Sequence, residues 1–264
     1  MAQAYLPFDW YETPLYYDIV FDEDTHKEAS FLEVLHKRHI TKPTGRLLEP
    51  ACGSGRLMAS LVKRGFTVHG FDASAGMLQF AQKRTKSLGD RVHLSQQNLQ
   101  SFAYKQTFDM AFCFVSTFKY LLTEDDAVEH LRRVARSLRP GGIYALGFHL
   151  THYARTNAER ERWVQIRGKT HVTCNIQIWP PDRRTRLERA RSRLLVSGVA
   201  GGPRRYETNW FFRTYSKAQF RDLLAKVPAF EHIDTHDFLY DPDRHAKLGE
   251  ERADVVAVLR KKTQ

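Results

Sequence analysis

Between residues 46 and 149, short apolar runs alternate with stretches whose apolar residues recur three and four apart, and few folds accept that rhythm. Arg46-Leu-Leu-Glu-Pro50 reads as a strand, and Leu57, Met58, Leu61 and Val62 mark the apolar stripe of a helix closed by Gly65. A second strand follows at 67–71, then a helix on Met77, Leu78 and Ala81, and a third strand at 91–94. Residues 108–114 form a fourth. Thr123 caps a helix carrying Val128, Leu131, Val134, Ala135 and Leu138, Pro140-Gly-Gly142 ends it, and 143–148 make the fifth strand. Strand and helix in alternation predict an α/β fold, a doubly wound, mostly parallel sheet with helices on both faces.

At residue 151 the rhythm breaks. In 171–178 Val172, Cys174, Ile176 and Ile178 alternate with polar residues, the period of a half-buried strand, and two further strand-like runs follow at 187–196 and 206–215. An antiparallel insert over 151–215 divides a core of residues 1–150 from a closing piece, 216–264, which opens with a capping box at Ser216 and Gln219 and ends in strands at 230–238 and 253–260. The insert also holds the charge. The whole chain has 41 Lys+Arg against 30 Asp+Glu, and the insert alone has 14 against 5, concentrated in Arg183-Arg-Thr-Arg-Leu-Glu-Arg-Ala-Arg-Ser-Arg193. Such a run is either a solvated strand face or a surface for anionic partners.

A hydrophobic fraction of 42% with 12% aromatics excludes a disordered chain. The longest apolar run, Met110-Ala-Phe-Cys-Phe-Val115, is far short of a membrane helix, which needs about 20 residues. The first ten residues have neither a basic nor an apolar region of the secretory kind, so a cytoplasmic location with no membrane partner is expected. Three scattered cysteines, Cys52, Cys113 and Cys174, give neither a disulfide framework nor a zinc motif, and no metal is expected.

The chemistry centres on Leu47-Leu-Glu-Pro-Ala-Cys-Gly-Ser-Gly-Arg56, where Gly53 and Gly55 between a strand and a helix let a ligand approach the backbone. A dinucleotide fingerprint needs a third small residue, and Met58 stands there instead. Glu49 would repel a pyrophosphate and suits a cationic ligand. With these residues in order, the sequence resembles the class I S-adenosylmethionine-dependent methyltransferases of small-molecule type. Glu49, Gly53 and Gly55 match their first motif, Asp72 in Gly70-Phe-Asp-Ala-Ser74 their second acid, and Asn98 the place of their adenine-reading Asp. Residues 108–120 and 138–144 match the fourth and fifth motifs, and the likeness extends over 15–150 and 216–260.

The resemblance implies a seven-stranded Rossmann-like sheet and S-adenosylmethionine as cofactor, with S-adenosylhomocysteine as product. It places Glu49, Ala51, Gly53, Gly55, Arg56, Asp72, Ala73, Met77, Asn98, Leu99 and Cys113 around that cofactor. The acceptor implied is a small molecule methylated at N or O by in-line displacement, chiefly through proximity and desolvation. Tyr16, Tyr17, His149, Tyr206, Trp210 and Arg213 are the candidate acceptor contacts, and His149 and Tyr17 the candidate bases. Two other functions stand beside this one: an RNA (tRNA) or protein methyltransferase docking through the basic insert, and a cofactor-binding protein without turnover. The oligomeric state is not legible.

Overall fold

The computed structural model describes residues 4–248 and 254–263. Residues 1–3 and Ala253, the first residue of the last expected strand, lie outside them. In chain order the elements are β1 (Leu6–Pro7), α1 (Pro14–Phe21), α2 (Thr25–His39), β2 (Arg46–Pro50), α3 (Arg56–Lys63), β3 (Thr67–Asp72), α4 (Ala75–Thr85), β4 (Val92–Gln96) and β5 (Phe108–Cys113). Then come α5 (Glu124–Ser137), β6 (Leu138–His149), β7 (Glu159–Arg167), β8 (Thr170–Ile178), β9 (Leu187–Ser197), β10 (Arg204–Arg213), α6 (Lys217–Ala225), β11 (Phe230–His236) and β12 (Asp254–Lys261).

Seven strands form one sheet in the order β11-β12-β6-β5-β2-β3-β4, parallel except for β12, which runs antiparallel to both neighbours. Every residue of β5 is buried, as befits a strand covered on both faces. Its one charged residue, Asp109, is satisfied there. It accepts from the Thr44 and Gly45 amides, both at 2.7 Å, and pairs with Arg139 Nε at 2.9 Å. The chain moves outward from β2 to β3 and β4, then returns to β5 on the other side of β2. The carboxyl ends of β2 and β5 therefore flank a crevice, the usual ligand position in open α/β sheets.

The second sheet, β1-β10-β9-β8-β7, is antiparallel apart from the β1–β10 pair. It contains two strands more than the sequence pattern predicts, β1 and β7. Glu159–Arg167 has four charged residues at its start, all exposed, and charge at that density masks the period-2 signal that Trp163 and Gln165 continue. Two boundaries also move. Helix α5 ends at Ser137 rather than at Pro140, and the Pro-Gly-Gly segment lies inside β6, where its pairing with β5 slips between Phe108 and Met110. Strand β10 stops at Arg213, two residues early.

The N-terminal segment closes over the crevice between the two sheets. Asp18 of α1 holds it: its fully buried carboxylate accepts from Ser54 Oγ at 2.6 Å in the glycine turn, and pairs with Arg84 of α4 and with Arg167 of β7 at 2.6 Å.

Candidate active site

Three residues with positive φ turn the chain sharply after β2: Ala51 (54°), Gly53 (53°) and Gly55 (71°). At Gly55 the conformation and the space both call for glycine, since a Cβ would lie 2.9 Å from that of Ala81. Asp72, at the end of β3, fastens this turn. Its Oδ2 accepts the Gly53 amide at 2.9 Å and its Oδ1 the Ser74 amide at 2.8 Å, and burial raises its pKa against those bonds. Ala51, Gly53, Asp72, Ala73, Gln97 and Leu99 line the resulting cleft. A smaller recess beneath reaches Glu49 and Cys113. Glu49 Oε2 is buried without a hydrogen-bond partner, and burial pushes its carboxyl well above the usual range.

Three expected cofactor contacts stand elsewhere. Asn98 is exposed in a turn, its carbonyl accepting the Ser101 and Phe102 amides, while Gln97 faces the cleft. A one-residue shift follows because β4 ends at Gln96 and the chain turns immediately. Met77 is fully buried below α4 as core. Arg56 is committed to α2, bonding Glu28 and, at 3.0 Å, Thr25 Oγ1. It still borders the recess beneath the cleft and the aromatic cavity beyond.

Beyond the cleft lies an aromatic cavity between the N-terminal segment and the inner face of the insert. Trp10 stacks on Trp210 at 5.0 Å and meets Tyr17 edge-on at 5.3 Å, with Trp163, Phe212 and His149 completing the walls. Tyr11, Tyr17, Thr117 and Tyr120 border both cavities, so the two spaces are neighbours across one layer of side chains. Tyr16 and Tyr206 do not reach it. They stack on each other at 6.1 Å, and Phe8 packs on Tyr206 at 4.9 Å. Arg213 is likewise absent, because alternation turns it to the opposite face, where it donates to Leu122 O at 2.9 Å and to Glu124 at 3.2 Å. Tyr17 makes a poor base, since burial pushes its phenol well above the ordinary value.

A polar cluster forms the far wall. His149 Nδ1 lies 2.8 Å from Ser116 Oγ, and its Nε2 lies 2.9 Å from Glu188 Oε1. Nε2 also contacts Lys119 Nζ, so Ser116, Glu188 and Lys119 together hold the ring in place. Lys119 Nζ, fully buried, donates to the same Glu188 oxygen at 2.6 Å, and Arg155 reaches Glu188 Oε2 at 3.0 Å. Burial, then the Lys119 charge, pushes His149 down to about 4, and burial lowers Lys119 to about 8 against the pull of Glu188. Burial opposes ionisation of Glu188, but the His149 hydrogen bond and Lys119 hold it down at about 2. Ser116 and its neighbour Val115 both adopt left-handed backbone (φ 58° and 56°), a strained pair that aims Ser116 at the cavity.

Ser116, Lys119 and Glu188 escape sequence reasoning. The one available signal is a lysine set among apolar residues in Phe118-Lys-Tyr120. The arginine run behaves as an alternating face. Ala190, Ser192 and Leu194 point inward, while Arg189 and Arg191 lie over Trp179 and Arg193 pairs with Glu207, on the side opposite Trp210.

Residues 47–142 match the family model described as a methyltransferase domain. The chain is 34% identical over 105 residues to a putative methyltransferase, YqeM, of Bacillus subtilis, covering 40% of this chain and 42% of that protein. It is 32% identical over 130 residues to the dTDP-3-amino-3,6-dideoxy-alpha-D-glucopyranose N,N-dimethyltransferase of Streptomyces fradiae, covering 48% and 49%. The chain thus spans about half the length of the curated relatives it matches. Among solved structures, an S-adenosylmethionine-dependent methyltransferase from Clostridium acetobutylicum superposes with a TM-score of 0.77 at 17% identity, over 96% of this chain and 99% of that one.

Proposed function

We propose that the chain is a class I S-adenosylmethionine-dependent methyltransferase that methylates a nitrogen of a small, amine-bearing molecule, a reading supported by the methyltransferase-domain match over residues 47–142 and by the shared fold. The observation that carries the reading is the shared wall: a cleft with a cofactor's donor set meets an aromatic cavity across Tyr11, Tyr17, Thr117 and Tyr120.

The residues of the cleft fit S-adenosylmethionine. Glu49 Oε2, buried and unpartnered, is the natural mate for an ammonium group, which would offset the cost of burying its charge. Asp72 retains lone pairs for ribose hydroxyls beyond the two amides it already accepts, and Leu99 offers an apolar side for a base. When bound, the cofactor supplies a sulfonium methyl group that needs no further activation. The protein's part is to position the acceptor and exclude water.

Nitrogen is favoured over oxygen on two grounds. Trp10, Trp163, Trp210 and Phe212 give a wall that attracts cations, and Glu161 and Asp254 add carboxylates to the lining. The name of the Streptomyces fradiae relative, an amino-sugar N,N-dimethyltransferase, agrees in kind. Within the site, Ser116 Oγ would accept an acceptor N–H and direct the nitrogen lone pair. His149, bonded to Ser116 and Glu188, would hold that hydroxyl in place while the released proton passes to solvent, and Lys119 acts as a positioning residue that keeps Glu188 ionised. The arginine face points away from this cavity, which gives the RNA reading no support.

Titration calorimetry with S-adenosylmethionine and S-adenosylhomocysteine, with NAD as control, followed by a panel of amines and phenols, tests the proposal. It requires binding of the sulfur nucleosides and amine-dependent formation of S-adenosylhomocysteine. Turnover on phenols alone, or binding of NAD instead, would overturn it.

A further inference from the structure

Away from both cavities, three side chains converge at the sheet edge. Asp234 and His236 project from β11, and His245 returns to them from the loop that follows. Asp234 Oδ2 lies 3.2 Å from His236 Nε2 and 3.0 Å from His245 Nδ1, and one ligand atom from each of the three falls within 4.8 Å of the others. His236 is fully buried, Asp234 partly so, and His245 is exposed.

The other nitrogen of His236 decides how the group is read. Nδ1 lies 3.2 Å from the carbonyl oxygen of Arg244, which can only accept, so Nδ1 carries a proton. In the neutral ring Nε2 is then bare. It is buried and has no hydrogen-bond partner, and a carboxylate oxygen lies 3.2 Å away. A cation within reach of both would satisfy the bare nitrogen and the carboxylate together. A ring N–H donated to a backbone carbonyl is also the usual support of a histidine that ligates a metal, because it fixes the tautomer and aims the free nitrogen.

We propose that Asp234, His236 and His245 form a binding site for a divalent transition-metal ion, of which Zn2+ suits the set best. Two imidazoles and a carboxylate are borderline donors of the kind zinc takes, and a fourth position opens to water on the His245 side. The spacing fits too. With metal–ligand bonds near 2.0–2.1 Å, tetrahedral ligand atoms stand about 3.3 Å apart, close to the separations Asp234 already keeps. The sequence gives no warning, because a single Asp-x-His with a His nine residues on is no recognised zinc motif. A metal here would clip the loop after β11 back onto its strand. Phe238 and Tyr240 of that loop border the aromatic cavity, so the clip would fix one of its walls.

The test uses the untagged full-length chain, stripped with a chelator and dialysed, then titrated with Zn2+ and separately with Mg2+. Retained metal and the thermal midpoint are both measured. The proposal expects one zinc per chain, no retained magnesium, and a midpoint that rises with zinc. His245→Ala alters an exposed side chain and should leave the apo fold intact by circular dichroism, yet weaken zinc binding about tenfold or more. Asp234→Asn should do the same. Failure of the wild type to retain zinc at micromolar concentrations, or equal retention by the wild type and both variants, overturns the site.

Discussion

Lys119 Nζ and Glu188 Oε1 lie 2.6 Å apart with both side chains almost wholly out of water, so a lysine just after β5 of the parallel sheet is tied to β9 of the insert. Taking either partner away strands a buried charge, so Lys119→Met or Glu188→Leu should each cost about 3–5 kcal/mol. Replacing both with apolar residues removes the charges together. The double variant Lys119→Met/Glu188→Leu should therefore recover much of that loss. Urea unfolding of the four proteins closes the cycle, and strictly additive losses would refute the coupling.

Asp72→Ala removes the acceptor for the Gly53 and Ser74 amides as well as the ribose contact assigned to it. Losing charge-assisted hydrogen bonds of about 1.5–3 kcal/mol should weaken S-adenosylhomocysteine binding about 10- to 100-fold. Calorimetry on a variant with native circular dichroism measures this, and unchanged affinity would count against the assignment.

Gly55→Ala meets two penalties at once: a left-handed φ of 71° and a Cβ 2.9 Å from Ala81. Together they should lower stability by about 2–4 kcal/mol. Gly65→Ala serves as the control. It shares a positive φ (98°) but opens on empty space, and it should cost less in the same denaturation experiment.

His130 is buried between the Leu99 carbonyl and the Tyr144 hydroxyl, at 2.9 Å from each, and burial pushes its pKa down to about 4. An unfolded histidine titrates near 6.5, so between the two values the unfolded chain binds the extra proton. The stability tied to neutral His130 is complete above about pH 6.5 and drains away as pH falls towards 4. His130→Gln should flatten that slope in thermal melts recorded from pH 7 to pH 4. A slope identical to that of the wild type would show that His130 plays no part in it.

The alternation from 46 to 149 and the glycine turn are legible because they are local. Helical spacing on α3 and α5 sets the faces, and Glu49, Gly53 and Asp72 sit where strand ends put them. The same reading misses β7, whose charged start hides its period, and misplaces Asn98 by one residue at the end of β4. The polar cluster is invisible for another reason. Ser116, His149 and Glu188 are separated by 33 and 39 residues, and only the packing of insert on core brings them together. Tyr16, Tyr206 and Arg213 fail where a residue's type is informative but its direction depends on strand register.

The carboxylate of Asp18 couples four parts of the molecule. One side chain is shared by the N-terminal helix, the glycine turn through Ser54, α4 through Arg84 and the insert through Arg167. A shift of this helix is therefore transmitted through one carboxylate to the cofactor turn, to α4 and to the insert together, and breaking any of its pairings leaves a buried charge less well compensated.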